Sequence, residues 1–111
     1  MGAQVINASW GGYGISTALY QAIERAQASG ILFVAAAGND SLNNNTTPLY
    51  PSSYDIDNII SVLATTDTDT LSPFSNYGSY SVDLGAPGGE DATQNSYNIY
   101  STKQGLSIIN I

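Results

Sequence analysis

Asn39 is the residue whose type and setting first point to chemistry. It follows the run ILFVAAAG and precedes Asp40, so an apolar stretch tapers to three alanines and a glycine before presenting an amide. Small side chains at that point let another molecule approach the backbone, and the Asn39 amide can donate hydrogen bonds to it. A tight turn after a core strand explains the same residues, because Asn tolerates turn geometry. A second loop, Ser9-Trp10-Gly11-Gly12-Tyr13-Gly14, also exposes backbone with little side chain in the way.

The chemistry open to these residues is limited by what the chain lacks. Its 111 residues contain no Cys and no His. No thiol nucleophile, thiolate metal site or disulfide can form, and the commonest general base is missing. A Ser nucleophile would need Lys103, an acid or a group from elsewhere to activate it. Nine acids against Arg25 and Lys103 give a net charge of −7. So few cations argue against binding nucleic acid or an anionic membrane surface. No apolar run approaches the roughly 20 residues that span a bilayer. Met1-Gly2-Ala3-Gln4 carries no basic or apolar signal, so any cellular address is expected outside these residues.

The elements that must position Asn39 follow from hydrophobic patterning. Residues 4–8 read as a short strand centred on Val5 and Ile6. Ser16 or Thr17 caps a helix running to about Ser29, with Leu19, Ala22, Ile23 and Ala26 as its buried stripe. Gly30 stops it. Ile31–Ala36 is a second strand, apolar throughout, as a parallel strand covered on both faces requires. Strand, helix and strand make a βαβ unit, and the C-terminal ends of its strands share one rim. The 9–14 loop and the Gly38-Asn39 turn are therefore expected side by side. Residues 40–58 form a long polar connection, of a length usually functional or ordered by something bound. Ile59–Ala64 reads as a third buried strand, Val82–Leu84 as a short one, Ala86–Gly89 as a break and Ile99–Ser101 as a last short strand. The apolar Leu106–Ile111 end reads as a cut through a larger domain.

Four stretches, in this order and spacing, resemble the subtilisin-like serine proteases: VINASWGG, ILFVAAAGND, YPSSYDIDNIISVLATTDTDTLSPFSNYG and VDLGAPG. The resemblance covers about residues 2–88 and continues more weakly through IYST at 99–102. It implies a parallel-sheet, three-layer α/β fold of which residues 1–111 are a central part, truncated at both ends. It also implies that Asn39 is the oxyanion-hole amide. Ser9, Trp10 and Gly11 would pair with a peptide substrate and line the primary specificity pocket. Ala36, Ala37 and Gly38 would lie against the substrate's first side chain. Trp10 stands where many members carry Leu; alternatively its indole merely covers the helix. Tyr50-Pro51 resembles a turn whose proline is often cis. Ser52–Asn58 resembles a segment that binds a cation in some members, with Asp55 and Asp57 as candidate oxygen ligands or as ordinary solvated acids. No cofactor is required, and calcium is left open for the intact protein.

The same resemblance marks what is missing. The family's Asp, His and Ser act together, and here there is no His, no matching Asp motif and no Gly-Thr-Ser. Ser107 lacks the surrounding motif, and Asp83 matches a later strand rather than the triad acid. GEDATQNSYN at 89–98 lengthens a loop relative to the family, and KQGLSIINI has no match. The expectation is a piece of a secreted or extracellular endopeptidase, acting on peptide or protein and inactive without flanking segments of the same domain. A non-catalytic peptide-binding or structural relic of the fold is the alternative. A nucleotide-binding βαβ unit using Gly11-Gly12-Tyr13-Gly14 lacks both the Gly-x-Gly-x-x-Gly spacing and a phosphate-binding lysine.

Overall fold

The structure, a computed structural model, describes residues 2–90. Four strands and one helix follow in the order β1 (Val5–Ala8), α1 (Thr17–Ala28), β2 (Leu32–Ala36), β3 (Ile59–Thr65) and β4 (Leu84–Pro87). The strands form one sheet in the order β1-β2-β3-β4, every neighbouring pair parallel. Val5 pairs with Leu32, Phe33 with Ile59 and Val62 with Leu84. All four strands therefore run toward the same edge.

Helix α1 begins where the sequence expects it. Ser16 is the N-cap, with extended backbone and its hydroxyl accepting the Leu19 N–H at 3.3 Å. Tyr54 holds the same point from across the core: its hydroxyl accepts Ser16 N at 2.9 Å and donates to Ser16 O at 3.1 Å. Gly30, at φ +69°, ends the helix, and Ile31 N returns to Ala26 O. The buried stripe is rotated from expectation. Ile23 is the buried residue of α1, Leu19, Tyr20, Ala26 and Gln27 are half-buried, and Ala22 is exposed. Tyr20 joins the stripe because its ring meets Tyr54 edge-on at 5.2 Å and packs against the core.

The core sits between α1, residues 50–56 and one face of the sheet. Ala8, Ile23, Phe33, Ala35, Tyr54 and Ile56 form it, with Ile6 and Ile59 packed alongside. The opposite face differs from the expectation that β2 is covered on both sides. Val5, Leu32 and Leu84 on that face are 56%, 36% and 46% exposed, while Ala36, Val62 and Ala64, toward the C-terminal edge, are buried. Of the three layers that the resemblance implies, the described residues build two.

Three other expectations change. β4 starts at Leu84, not Val82, and includes Ala86-Pro87, which read as a break. Proline is tolerated there because it ends β4, an edge strand among the described residues, where its missing N–H breaks no ladder bond to β3. The 40–58 connection is ordered from within the chain: Asn44 N donates to Tyr77 O at 2.7 Å, Gly12 and Tyr50 exchange two backbone bonds, and Ser53 N donates to Leu49 O. Tyr50-Pro51 is cis. The strand expected at Ile99–Ser101 and the apolar 106–111 end lie outside the described residues.

Candidate active-site cleft

The C-terminal edge of a parallel sheet is where chain reversals leave room for a ligand. Here β1 delivers the Ser9–Gly14 loop to that edge and β2 delivers the Gly38-Asn39 turn. Between them lies a cleft of about 220 Å³. Ser9, Trp10 and Gly11 form one wall, and Ala36, Gly38 and Asn39 the other. Six of the seven residues singled out from the sequence thus meet around one cavity. Ala37, the seventh, does not line it. Ala37 is fully buried, its N–H donating to Val62 O and its carbonyl accepting from Asn44. That inward position follows from strand alternation beside Ala36.

The two walls differ in what they leave free. Among the described residues, Trp10 and Gly11 make no backbone hydrogen bond; the next residue, Gly12, pairs antiparallel with Tyr50 at 2.9 and 2.8 Å. Trp10 is 54% exposed and lines the cleft. Asn39 is half-buried, and among the described residues its side-chain amide has no hydrogen-bond partner. A fixed amide with its donors unspent, beside unpaired backbone, can bind an extended peptide and an oxygen within it.

Several residues that shape the cleft drew no role from the sequence. Leu49 is buried beneath it, and a Cβ added at Gly11 or Gly38 would lie 2.8 or 3.0 Å from Leu49 Cδ2. Gly38 also has φ +114°, a conformation that other residues rarely adopt. Asp40 lines the cavity, and its carboxylate accepts the Tyr13 hydroxyl, joining the two walls directly. Partial burial, then that hydrogen bond and the carboxylate's charge, hold the Tyr13 phenol above its ordinary range, against a smaller lowering influence from the Asn76 amide.

A second, larger hollow of about 470 Å³ lies beside residues 52–57, with Asp55, Asp57 and Asp83 on its lining. It is the region the resemblance marks for a cation. Both Asp55 and Asp57 are exposed, and the Asp83 carboxylate is already used, accepting Ser61 N at 2.7 Å. Among the described residues no three acidic, His or Cys side chains converge closely enough to hold a metal. The side chains of the described residues therefore do not fit a carboxylate-based calcium site. Among the described residues, Asp83 exchanges bonds with the Ser61 backbone and so buttresses β3.

The sequence and the fold have clear relatives. The Subtilase family model matches residues 1–108, so the likeness extends well beyond residue 88 and into the 103–111 stretch expected to have no match. The chain belongs to the subtilase family. Subtilisin DY of Bacillus licheniformis is 40% identical over 108 residues, which are 96% of this chain and 38% of that protein. An extracellular basic protease of Dichelobacter nodosus is 44% identical over 87 residues, 78% of this chain and 14% of its own length. Among solved structures, a protease of Pseudoalteromonas arctica superposes with TM-score 0.73 at 31% identity, covering 97% of this chain and 34% of that one. This subtilase chain spans between 7% and 38% of the length of such relatives.

Proposed function

We propose that residues 1–111 are the central part of a serine endopeptidase domain and supply its oxyanion donor and one side of its substrate cleft. The carrying observation is the Asn39 amide, half-buried and without a partner among the described residues, at the strand-end cleft beside Trp10 and Gly11. In this reading an extended peptide adds its backbone to Ser9-Trp10-Gly11 as a further strand. Its carbonyl oxygen comes within reach of the Asn39 amide. As the acyl carbon becomes tetrahedral that oxygen gains negative charge, and the amide donates more strongly to it than to the ground-state carbonyl. The Asp, His and Ser that move the proton and form the acyl bond belong to the rest of the domain, because these 111 residues contain no His. Residues 1–111 alone are then inactive.

The half-open sheet supports the same reading. Val5, Leu32 and Leu84 give an apolar face to which flanking parts of the domain would add the third layer. An extracellular setting suits the acidic, weakly charged composition and the resemblance. A bound cation in the intact protein would rest on backbone carbonyls, as the carboxylates here do not cluster.

The test is Asn39→Ala in the complete protein. Turnover of a peptide substrate should fall by about 10²–10³-fold, with KM changed by less than about threefold. Unchanged turnover would remove Asn39 from the chemistry. A complete chain with no peptidase activity at all would favour the binding or relic reading.

A further inference from the structure

Asn39 is held in place by residues that never reach the cleft. Asn76, fully buried, directs its backbone N–H and the oxygen of its side chain to this turn. Its N–H donates to Gly38 O at 2.8 Å, and its Oδ1 accepts Asp40 N at 2.8 Å and Leu42 N at 3.1 Å. Backbone N–H groups can only donate, so these two bonds fix which end of the amide faces the turn. The other end, Nδ2, donates at 3.0 Å to Oδ1 of Asn44, which is 1% exposed. Asn44 Nδ2 in turn donates to Ala37 O at 2.7 Å. Ala37, Gly38, Asp40 and Leu42 are thus all bonded from below, while the residue between them, Asn39, keeps its side chain free. The fit is close, since a Cβ on Gly38 would stand 2.5 Å from Asn76 Nδ2.

We propose that Asn76, backed by Asn44, is a positioning residue for the Asn39 oxyanion donor. The proposal rests on Asn39 having that role. A buried amide pair with its bonds to the turn made has one low-energy arrangement, so it fixes the turn before substrate arrives. Removing Asn76 Oδ1 would leave Asp40 N and Leu42 N seeking water. The turn would then sample positions from which Asn39 misses the developing charge, without altering the backbone that binds the peptide.

The experiment compares four variants of the complete protein by kcat, KM and thermal midpoint: Asn39→Ala, Asn76→Ala, Asn44→Ala and Asn45→Ala. Asn45 is the control, because its Oδ1 also accepts backbone N–H groups, those of Tyr80 and Ser81, but none from the turn. Asn76→Ala should lower kcat by about 10–100-fold with KM within about twofold. Asn44→Ala, the milder change should Asn76→Ala not fold, should lower kcat by roughly 3–10-fold with KM retained. Asn45→Ala should lower the thermal midpoint and leave kcat unchanged. In the Asn39→Ala background, Asn76→Ala should cost no further turnover, since nothing is left to position.

Wild-type kcat in folded Asn76→Ala and Asn44→Ala, with Asn39→Ala impaired, would overturn the positioning role alone. So would an equal kcat loss in Asn45→Ala, or full additivity with Asn39→Ala. A silent Asn39→Ala would overturn the oxyanion reading itself, and the positioning role with it.

Discussion

The two walls of the cleft are anchored in opposite ways. Residues 9–15 are all exposed, and their loop is held at Gly12 by Tyr50 and at Tyr13 by Asp40. Residues 37–42 are held from beneath by Asn44 and Asn76, which solvent does not reach. A wall that gains a peptide strand must keep its N–H and C=O groups unspent, and an exposed loop does so at little cost while water satisfies them. A wall that aims a dipole at a charge must not reorganise when the charge appears, and that calls for buried, satisfied polar support. One cleft can therefore combine a receptive side and a rigid side, each with its own pattern of bonding.

The rigid side offers the sharpest way to break this contrast. Gly38→Ala places a Cβ at φ +114° and 2.5 Å from Asn76 Nδ2. Left-handed strain and overpacking add, so unfolding free energy in the complete protein should fall by roughly 3 kcal/mol. Turnover should drop by about 10²-fold even where the variant is fully folded. Denaturant unfolding together with kcat on the folded fraction decides the matter. A variant that loses neither would show the turn to be as pliant as the opposite loop.

The matching change on the receptive side should act on binding instead. At Gly11 a Cβ would meet Leu49 Cδ2 at 2.8 Å and Tyr50 O at 2.9 Å, without positive φ. Leu49 can turn aside, whereas the Tyr50 carbonyl, which lies in the backbone bridge to Gly12, cannot. Gly11→Ala should destabilise by about 1–2 kcal/mol. It should raise KM roughly 3–10-fold with kcat nearly kept, because the contact with bound peptide is similar in ground and transition states. A kcat loss as large as that of Gly38→Ala would erase the distinction between the walls.

The difference between the walls also separates what the sequence shows from what it hides. Glycines and small apolar residues after a strand are visible as such, so the 9–14 loop, the 38–39 turn and their meeting on one rim follow from β-α-β order. The amide support is hidden because burial of a polar residue is a property of tertiary packing. Asn43-Asn44-Asn45-Thr46-Thr47 reads as a solvated connection, yet Asn44 is almost wholly enclosed. Asn76 lies in the FSNYG stretch that carries part of the family resemblance, and nothing local tells that its partners are Asp40 and Leu42, more than thirty residues earlier. Ala37, fully buried, shows the same limit, since a run of small residues does not say which one faces the cleft. The exposed face at Val5 and Leu32 shows the converse: apolar β2 residues report a sheet meant for two covers, and the described residues supply one.

The smallest effect should come from the single side-chain bond between the walls. Tyr13→Phe removes the hydroxyl that Asp40 accepts but leaves the ring and both backbone anchors. The tyrosine is 47% exposed, so the bond competes with water and its loss should cost less than about 1 kcal/mol. Neither kcat nor KM should move by more than about twofold, because neither the amide support nor the Gly12 bridge depends on the hydroxyl. The pH dependence gives the sign. The folded-state phenol titrates above its ordinary value of 10.0, so near that pH the native state holds a proton that the unfolded chain has begun to release. Stability from this bond is then fully present below pH 10.0 and is lost as pH rises through the folded value. The stability gap between wild type and Tyr13→Phe should accordingly be constant at neutral pH and narrow in alkali. A large turnover defect in Tyr13→Phe at neutral pH would mean that the two walls work as one rigid unit, against the division of labour inferred from their bonding.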